Sequence, residues 1–199
     1  MALTPVPDDQ IATVVTHLEM RTRPRPAPVP PAPLRLVPWK TPAPQAYRTL
    51  FRRVGEPWLW FSRLVMSDTE LAAIIQDPAV EIYAVTDPRG TEVGLLELDF
   101  RALPDCEIAF LGLVRGLTGK GLGKWLMAQV KSLAWRKDVT RLWVHSCTLD
   151  SPAALPFYIA SGFVPFAREV EIFADPRLAG LLSRDAAPHV PFLGQAPSA

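Results

Sequence analysis

Four glycines within eight residues separate an apolar strand from an amphipathic helix, and this arrangement constrains the chain more than any other feature. The stretch runs Leu113, Val114, Arg115, Gly116, Leu117, Thr118, Gly119, Lys120, Gly121, Leu122, Gly123, Lys124, Trp125, Leu126, Met127. Closely spaced glycines let backbone N–H groups approach an anion with no side chain in the way, and a helix N-terminus adds its partial positive charge. Lys120 and Lys124 add formal charge. The pattern points to a phosphate or pyrophosphate cradle. The Walker pattern GxxxxGK[ST] fails at both ends, with Thr118 at its first position and Trp125 at its last. The dinucleotide fingerprint GxGxxG keeps Gly119 and Gly121 but meets Lys124 at its third glycine. It also follows the first strand of a parallel unit, whereas several strands precede the loop here. A glycine-rich turn without a ligand is the other alternative.

Composition narrows the rest. At 199 residues, 49% hydrophobic and 21% charged, the chain suits one globular domain with a sizeable core. Lys and Arg number 21 against 20 Asp and Glu, which argues against an electrostatic nucleic-acid binder. The longest apolar run free of proline, Ile108 to Val114, is far too short to span a membrane. Asp8 and Asp9 stand where a signal peptide carries positive charge. Cys106 and Cys147 make no disulfide framework and no metal-ligand spacing, and read as reduced, partly buried thiols of a cytoplasmic protein. Proline is the outlier: 22 residues, eleven of them within the first 44.

The pattern predicts a mixed α and β fold in a single domain over residues 1–199. The β-branched cluster at 11–20 reads as a strand. Residues 24–44, with nine prolines, read as a surface connector that can be neither helix nor central strand. Residues 44–54 form a short amphipathic helix opened by Pro44 and stopped at Gly55. Trp58, Trp60 and Phe61 read as core, or as a substrate wall. Ser67 and Glu70 form a capping box ahead of Leu71, Ile74 and Ile75. Strands follow at 80–86 and 93–100, joined by the turn Asp87-Pro88-Arg89-Gly90, and at 107–114. Leu122, Leu126, Val130 and Leu133 mark one helical stripe. Residues 141–147 read as a strand. Ser151-Pro152 begins a helix that ends at Ser161-Gly162. One or two short strands cover 163–173, and 184–199 is an irregular tail.

The loop TGKGLGKWLM after the strand EIAFLGLV resembles the acetyl-CoA pyrophosphate loop of the GCN5-related N-acetyltransferases (GNAT). That family carries Arg or Gln, two residues, Gly, any residue, then Gly or Ala; here Thr118, Gly121 and Gly123 hold those positions, with Thr118 as the departure. The family's later helix reads Asn, two residues, Ala, three residues, Tyr, and ends in Gly-Phe. Ser151, Ala154, Tyr158, Gly162 and Phe163 stand at those offsets, and only Ser151 departs. The resemblance covers most of residues 11–175. The proline-rich connector and the tail fall outside it.

The resemblance implies a mostly antiparallel, mixed central sheet flanked by helices, and direct acetyl transfer from acetyl-CoA to an amine in a ternary complex. It implies coenzyme contacts along Leu113 and Val114, through Thr118, Gly119, Lys120, Gly121, Leu122, Gly123 and Lys124, and at Ser151. Gly112 would permit a strand bulge there. Tyr158 is implied as the acid that protonates the leaving thiolate; a packing tyrosine is its plain alternative. For the base, Glu107 ranks first, Glu97 second and His145 third. Each has a plain alternative as an exposed strand carboxylate or a satisfied core histidine. The acceptor is an amine of a small molecule or a protein, with neither nucleic acid nor membrane as partner, and the resemblance leaves a homodimer open. A non-catalytic acyl-CoA-binding sensor or interaction module, with the proline-rich segment as its contact, is the competing function.

Overall fold

The computed structural model describes residues 3–25 and 27–194; Pro26 of the connector and residues 195–199 of the tail lie outside the described residues. Among the described residues seven strands form: β1 (Gln10–Met20), β2 (Arg35–Pro38), β3 (Val80–Thr86), β4 (Glu92–Asp99), β5 (Asp105–Leu113), β6 (Arg141–Cys147) and β7 (Val164–Ala174). Four α-helices accompany them there: α1 (Pro44–Gly55), α2 (Asp68–Ile75), α3 (Leu122–Ala134) and α4 (Ala154–Ala160). The strands make one sheet in the order β2-β3-β4-β5-β6-β1-β7. Its ladders are antiparallel except that between β5 and β6. The mixed α and β fold read from the sequence is the fold observed.

Strand alternation sends neighbouring residues to opposite faces, so one sheet builds two cores. On one face Leu95, Ile82 and Ala84 meet Tyr47, Leu50, Phe51 and Val54 of α1 and Leu71 and Ile75 of α2. On the other, Leu96, Leu98, Ile108 and Leu142 meet Met127, Val130 and Ala134 of α3 and Tyr158 of α4. Local rules set the boundaries. Pro44 opens α1, where no N–H is needed. The capping box before α2 forms, with the Glu70 amide donating to Ser67 Oγ (3.2 Å) and the Ser67 amide to Glu70 Oε2 (2.8 Å). Asp87 Oδ1 accepts from the amides of Arg89 and Thr91, closing the β3–β4 turn. Gly162, at φ +97°, ends α4 in the left-handed conformation. Among the described residues no helix is long and apolar enough to cross a membrane.

Four features add to the sequence reading or correct it. First, β1 is first in sequence but sixth in the sheet, between β6 (His17 opposite His145) and β7 (Val14 opposite Val170). The connector therefore has to reach the far edge of the sheet, about 24 Å away at ~4.8 Å per strand. Second, the connector is not wholly irregular. Arg35–Pro38 pairs with β3 as an edge strand, where a residue lacking an N–H is tolerated, and Leu34 packs against Trp125 and Leu126 of α3. Third, α4 begins at Ala154 and has no side-chain cap; Ser151 instead heads a turn, with the Ala154 amide donating to its carbonyl (2.8 Å). Fourth, of the one or two short strands read over 163–173, a single longer one forms, β7.

The bulge also lies elsewhere. On β4, Glu97 faces Phe110 and Leu98 faces Ile108, so Ala109 is the extra residue of β5. Gly112 serves close packing instead, since a Cβ there would lie 2.6 Å from Val54 Cγ1.

Candidate active site

Strands β5 and β6 run parallel but pair only where Asp105, Cys106 and Glu107 meet Arg141, Leu142 and Trp143. Beyond Glu107 they part. The opening is a cleft of about 730 Å3, bounded by β5, β6, the glycine loop, α4, residues 58–63 and the end of β7.

At one end stands the glycine loop. Gly119 and Gly121 both lie at φ +76°, and nothing lies within 4 Å of where a Cβ would be at either. Their backbone angles, not crowding, require glycine. Gly121 caps α3 without a side-chain partner. Among the described residues nothing accepts from the amides of residues 119–123, so they stand free at the positive end of α3. Of the residues expected to touch the coenzyme, Thr118, Gly119, Gly121, Gly123, Lys124, Leu113 and Ser151 line the cleft. Three expected contacts do not. Lys120 is exposed outside the lining, Leu122 packs into the small core around Leu34, and the Val114 amide donates to Val93 O (2.9 Å) on the β4 side. Thr118, the departure from Arg or Gln, spends its hydroxyl on the Arg115 carbonyl (2.8 Å).

Tyr158 sits on α4 facing the cleft, and its hydroxyl has no hydrogen-bond partner among the described residues. Burial pushes the phenol pKa well above its ordinary value, and the Asp150 carboxylate adds to this. The group therefore keeps its proton across the neutral range. Asp150 is held in turn by Ser146 Oγ (2.8 Å) and the Cys147 amide (3.1 Å).

At the other end the three base candidates separate. Glu107 lines the cleft and approaches His145 Nδ1 at 3.5 Å; the His145 side chain is 46% exposed. The hydrogen bond to Glu107 raises the His145 pKa against the opposing effect of burial. Glu97 is in a different assembly. It is wholly buried, accepts from Tyr47 Oη (2.5 Å) and pairs with Arg63 (2.5 Å). Burial and the Glu97 carboxylate hold the Tyr47 phenol well above its ordinary pKa. Glu97 therefore anchors α1 and the 61–66 turn to β4 and does not line the cleft.

Two lining residues carried no sequence signal: Glu171 of β7 pairs with no cation among the described residues, and Arg63 lies 5.1 Å over the Phe110 ring. Asp99, which the strand pattern places on one face with Glu97, lines the cleft and pairs with Arg101 (2.5 Å). The aromatic cluster divides between core and cleft. Trp60 packs against Phe51 (5.6 Å) and Phe110 (5.1 Å), whereas Phe61 stacks on Phe173 at 4.6 Å as a cleft wall beside Trp58.

The acetyltransferase (GNAT) family matches residues 36–163, a span that holds the loop, the cleft strands and α4. No curated protein matches the chain in sequence. Solved structures agree in fold. A GCN5-related N-acetyltransferase from Sphaerobacter thermophilus superposes at TM-score 0.60 with 18% identity, over 86% of this chain and 52% of that one. A tandem GNAT protein from the clavulanic acid biosynthesis pathway gives 0.51 and 19%, over 81% and 53%. Spermidine N-acetyltransferase from Vibrio cholerae, solved with CoA and spermine, gives 0.53 and 17%, over 74% and 98%. The chain thus spans about half the length of the first two and nearly all of the third. With the family's span over most of its length and the family's fold around the cleft, the chain belongs to the acetyltransferase (GNAT) family, whose acyl donor is acetyl-CoA.

Proposed function

We propose that the protein transfers an acetyl group from acetyl-CoA to a primary amine of a small molecule or protein, by direct attack in a ternary complex. The observation that carries this reading is the convergence of three groups on one cleft: the free amides of 119–123, the protonated Tyr158 and the Glu107–His145 pair. The residues fit the coenzyme. Unobstructed amides and Lys124 suit its pyrophosphate, and the parting of β5 and β6 leaves room for a slender arm along Leu113. Bound there, acetyl-CoA supplies the thioester carbonyl and a thiolate leaving group.

The remaining chemistry belongs to side chains. An alkyl amine of pKa ~10 arrives charged, and the carboxylates Glu107 and Glu171 favour that cation at the cleft. Glu107 accepts the ammonium proton, directly or through one water, with His145 Nδ1 3.5 Å from its carboxylate. Tyr158 donates its proton at the departing sulfur. The second reading, a coenzyme-binding module without catalysis, makes a different prediction. Both require acetyl-CoA binding by calorimetry, but only the transferase releases free thiol when offered a panel of amines. For the base, the pH–rate profile of Glu107→Gln decides: loss of the acidic limb supports Glu107, and an unchanged limb removes it.

A further inference from the structure

Beyond β7 the chain turns back over the sheet, and one buried arginine organises that return. The side chains of Asp175 and Arg177 are 4% and 1% exposed. All five guanidinium N–H groups of Arg177 are taken up. Nε and Nη2 hold the Asp175 carboxylate (Nη2 to Oδ2, 2.7 Å), Nη1 donates to the carbonyls of Val190 (2.9 Å) and Ala186 (3.3 Å), and Nη2 donates to that of Pro191 (3.2 Å). The segment so gathered places Leu182, Ala186 and Ala187 in the same core as Phe51, Val54 and Leu59. Its His189 donates from Nε2 to the Leu149 carbonyl (3.1 Å) and lies 5.8 Å from the Trp58 ring. Leu149 and Trp58 both line the cleft. The strap's other root is β7, where Phe173, two residues before Asp175, stacks on Phe61.

We infer that Arg177 is a positioning residue for acceptor binding: it folds residues 176–191 into a strap that backs the aromatic wall formed by Trp58, Phe61 and Phe173. The inference rests on the transferase reading for the identity of that wall as the acceptor end. The strap touches both ends of the wall and lies outside residues 36–163, the span matched by the family that handles the coenzyme. A fully desolvated ion pair is poorly suited to add net stability, but a five-donor fork imposes one shape on the carbonyls it gathers. Lysine, with three donors and no fork, cannot replace it.

The test uses the full chain with Arg177→Lys and, in case that variant unfolds, His189→Ala, which removes the Trp58 contact and leaves the clamp intact. In hydrogen exchange, residues 176–191 and 56–61 should lose protection together in Arg177→Lys, and 56–61 should lose it in His189→Ala. Residues 119–130 should keep theirs, and coenzyme A affinity by calorimetry should stay within about twofold of wild type. For the amine that wild type turns over fastest, KM should rise at least tenfold in Arg177→Lys with kcat within threefold. Unchanged protection at 56–61, or a parallel loss of coenzyme A affinity in His189→Ala, overturns the inference. A wild type that binds coenzyme A but turns over no amine counts against the transferase reading alone, and the exchange data still decide the strap.

Discussion

The two ends of the cleft are built by opposite means. The end proposed for the coenzyme comes from one nearly continuous stretch, β5 through α4, and it presents backbone amides exposed by glycines at φ +76°. The end proposed for the acceptor gathers side chains from residues 58–63, β4, β5, β6 and β7, with the strap packed in the core behind them. A backbone-built site tolerates side-chain replacement, so Thr118 and Ser151 can depart from the family pattern while the cradle keeps its form. A side-chain-built site changes with each residue that lines it, and it is there that one family member can come to differ from another in what it accepts.

Four substitutions would break or sharpen this contrast. The largest effect is expected at Glu97→Ala. It strands the Arg63 guanidinium and the Tyr47 hydroxyl in the interior, and stability measured by denaturant unfolding should fall by ~3–5 kcal/mol. If stability held while turnover collapsed, Glu97 would belong to the chemistry and the division drawn between it and Glu107 would be wrong. Next is Tyr158→Phe, which removes the proton donor and should lower turnover at least tenfold, ~1.4 kcal/mol of barrier, with acetyl-CoA affinity little changed. Unaltered turnover would make Tyr158 a packing residue.

Gly121→Ala then probes the backbone-built end by itself. A side chain in left-handed geometry costs ~1–2 kcal/mol, so acetyl-CoA affinity should fall severalfold while kcat stays near wild type. An equal loss in kcat would mean that the loop also orders the acceptor end. The smallest effect concerns His145. Glu107 raises its pKa in the folded protein, so the stability this gives is complete below the unfolded value of ~6.5 and is lost as pH rises through the raised one. The ring is half exposed, so His145→Asn should cost ~0.5 kcal/mol or less at about pH 5.5 and nothing measurable at about pH 9. A pH-independent loss would sever the Glu107–His145 link.

The same contrast explains what could be read from residue order. The cradle, the capping box at Ser67 and the Tyr158 to Phe163 spacing are local, and local backbone chemistry is written in short motifs. The acceptor end depends on where distant segments meet. Glu97 and Glu107 look alike in sequence, each a strand carboxylate; only the positions of Tyr47 and Arg63 separate them. Alternation also misleads around Ala109. Its bulge puts Glu107 and Phe110, three residues apart, on one face and Ile108 and Leu111 on the other, which strict period-two reading forbids. Nothing in the composition of 10–20 says that the strand lies between β6 and β7, and the strap, lacking regular structure, has no periodicity to reveal it.

The interior position of β1 bears on how the chain can reach this state. β1 is synthesised before both strands it pairs with, and the Thr13 Oγ1–Thr148 Oγ1 bond that helps fix it joins residues 135 apart in sequence. Leu18 and Met20 must therefore wait, uncovered, while most of the chain emerges. Contacts so distant carry a large loop-closure cost and slow folding. The half of the sheet nearest β7 should thus assemble last, after the β3–β4–β5 meander has formed from neighbouring strands.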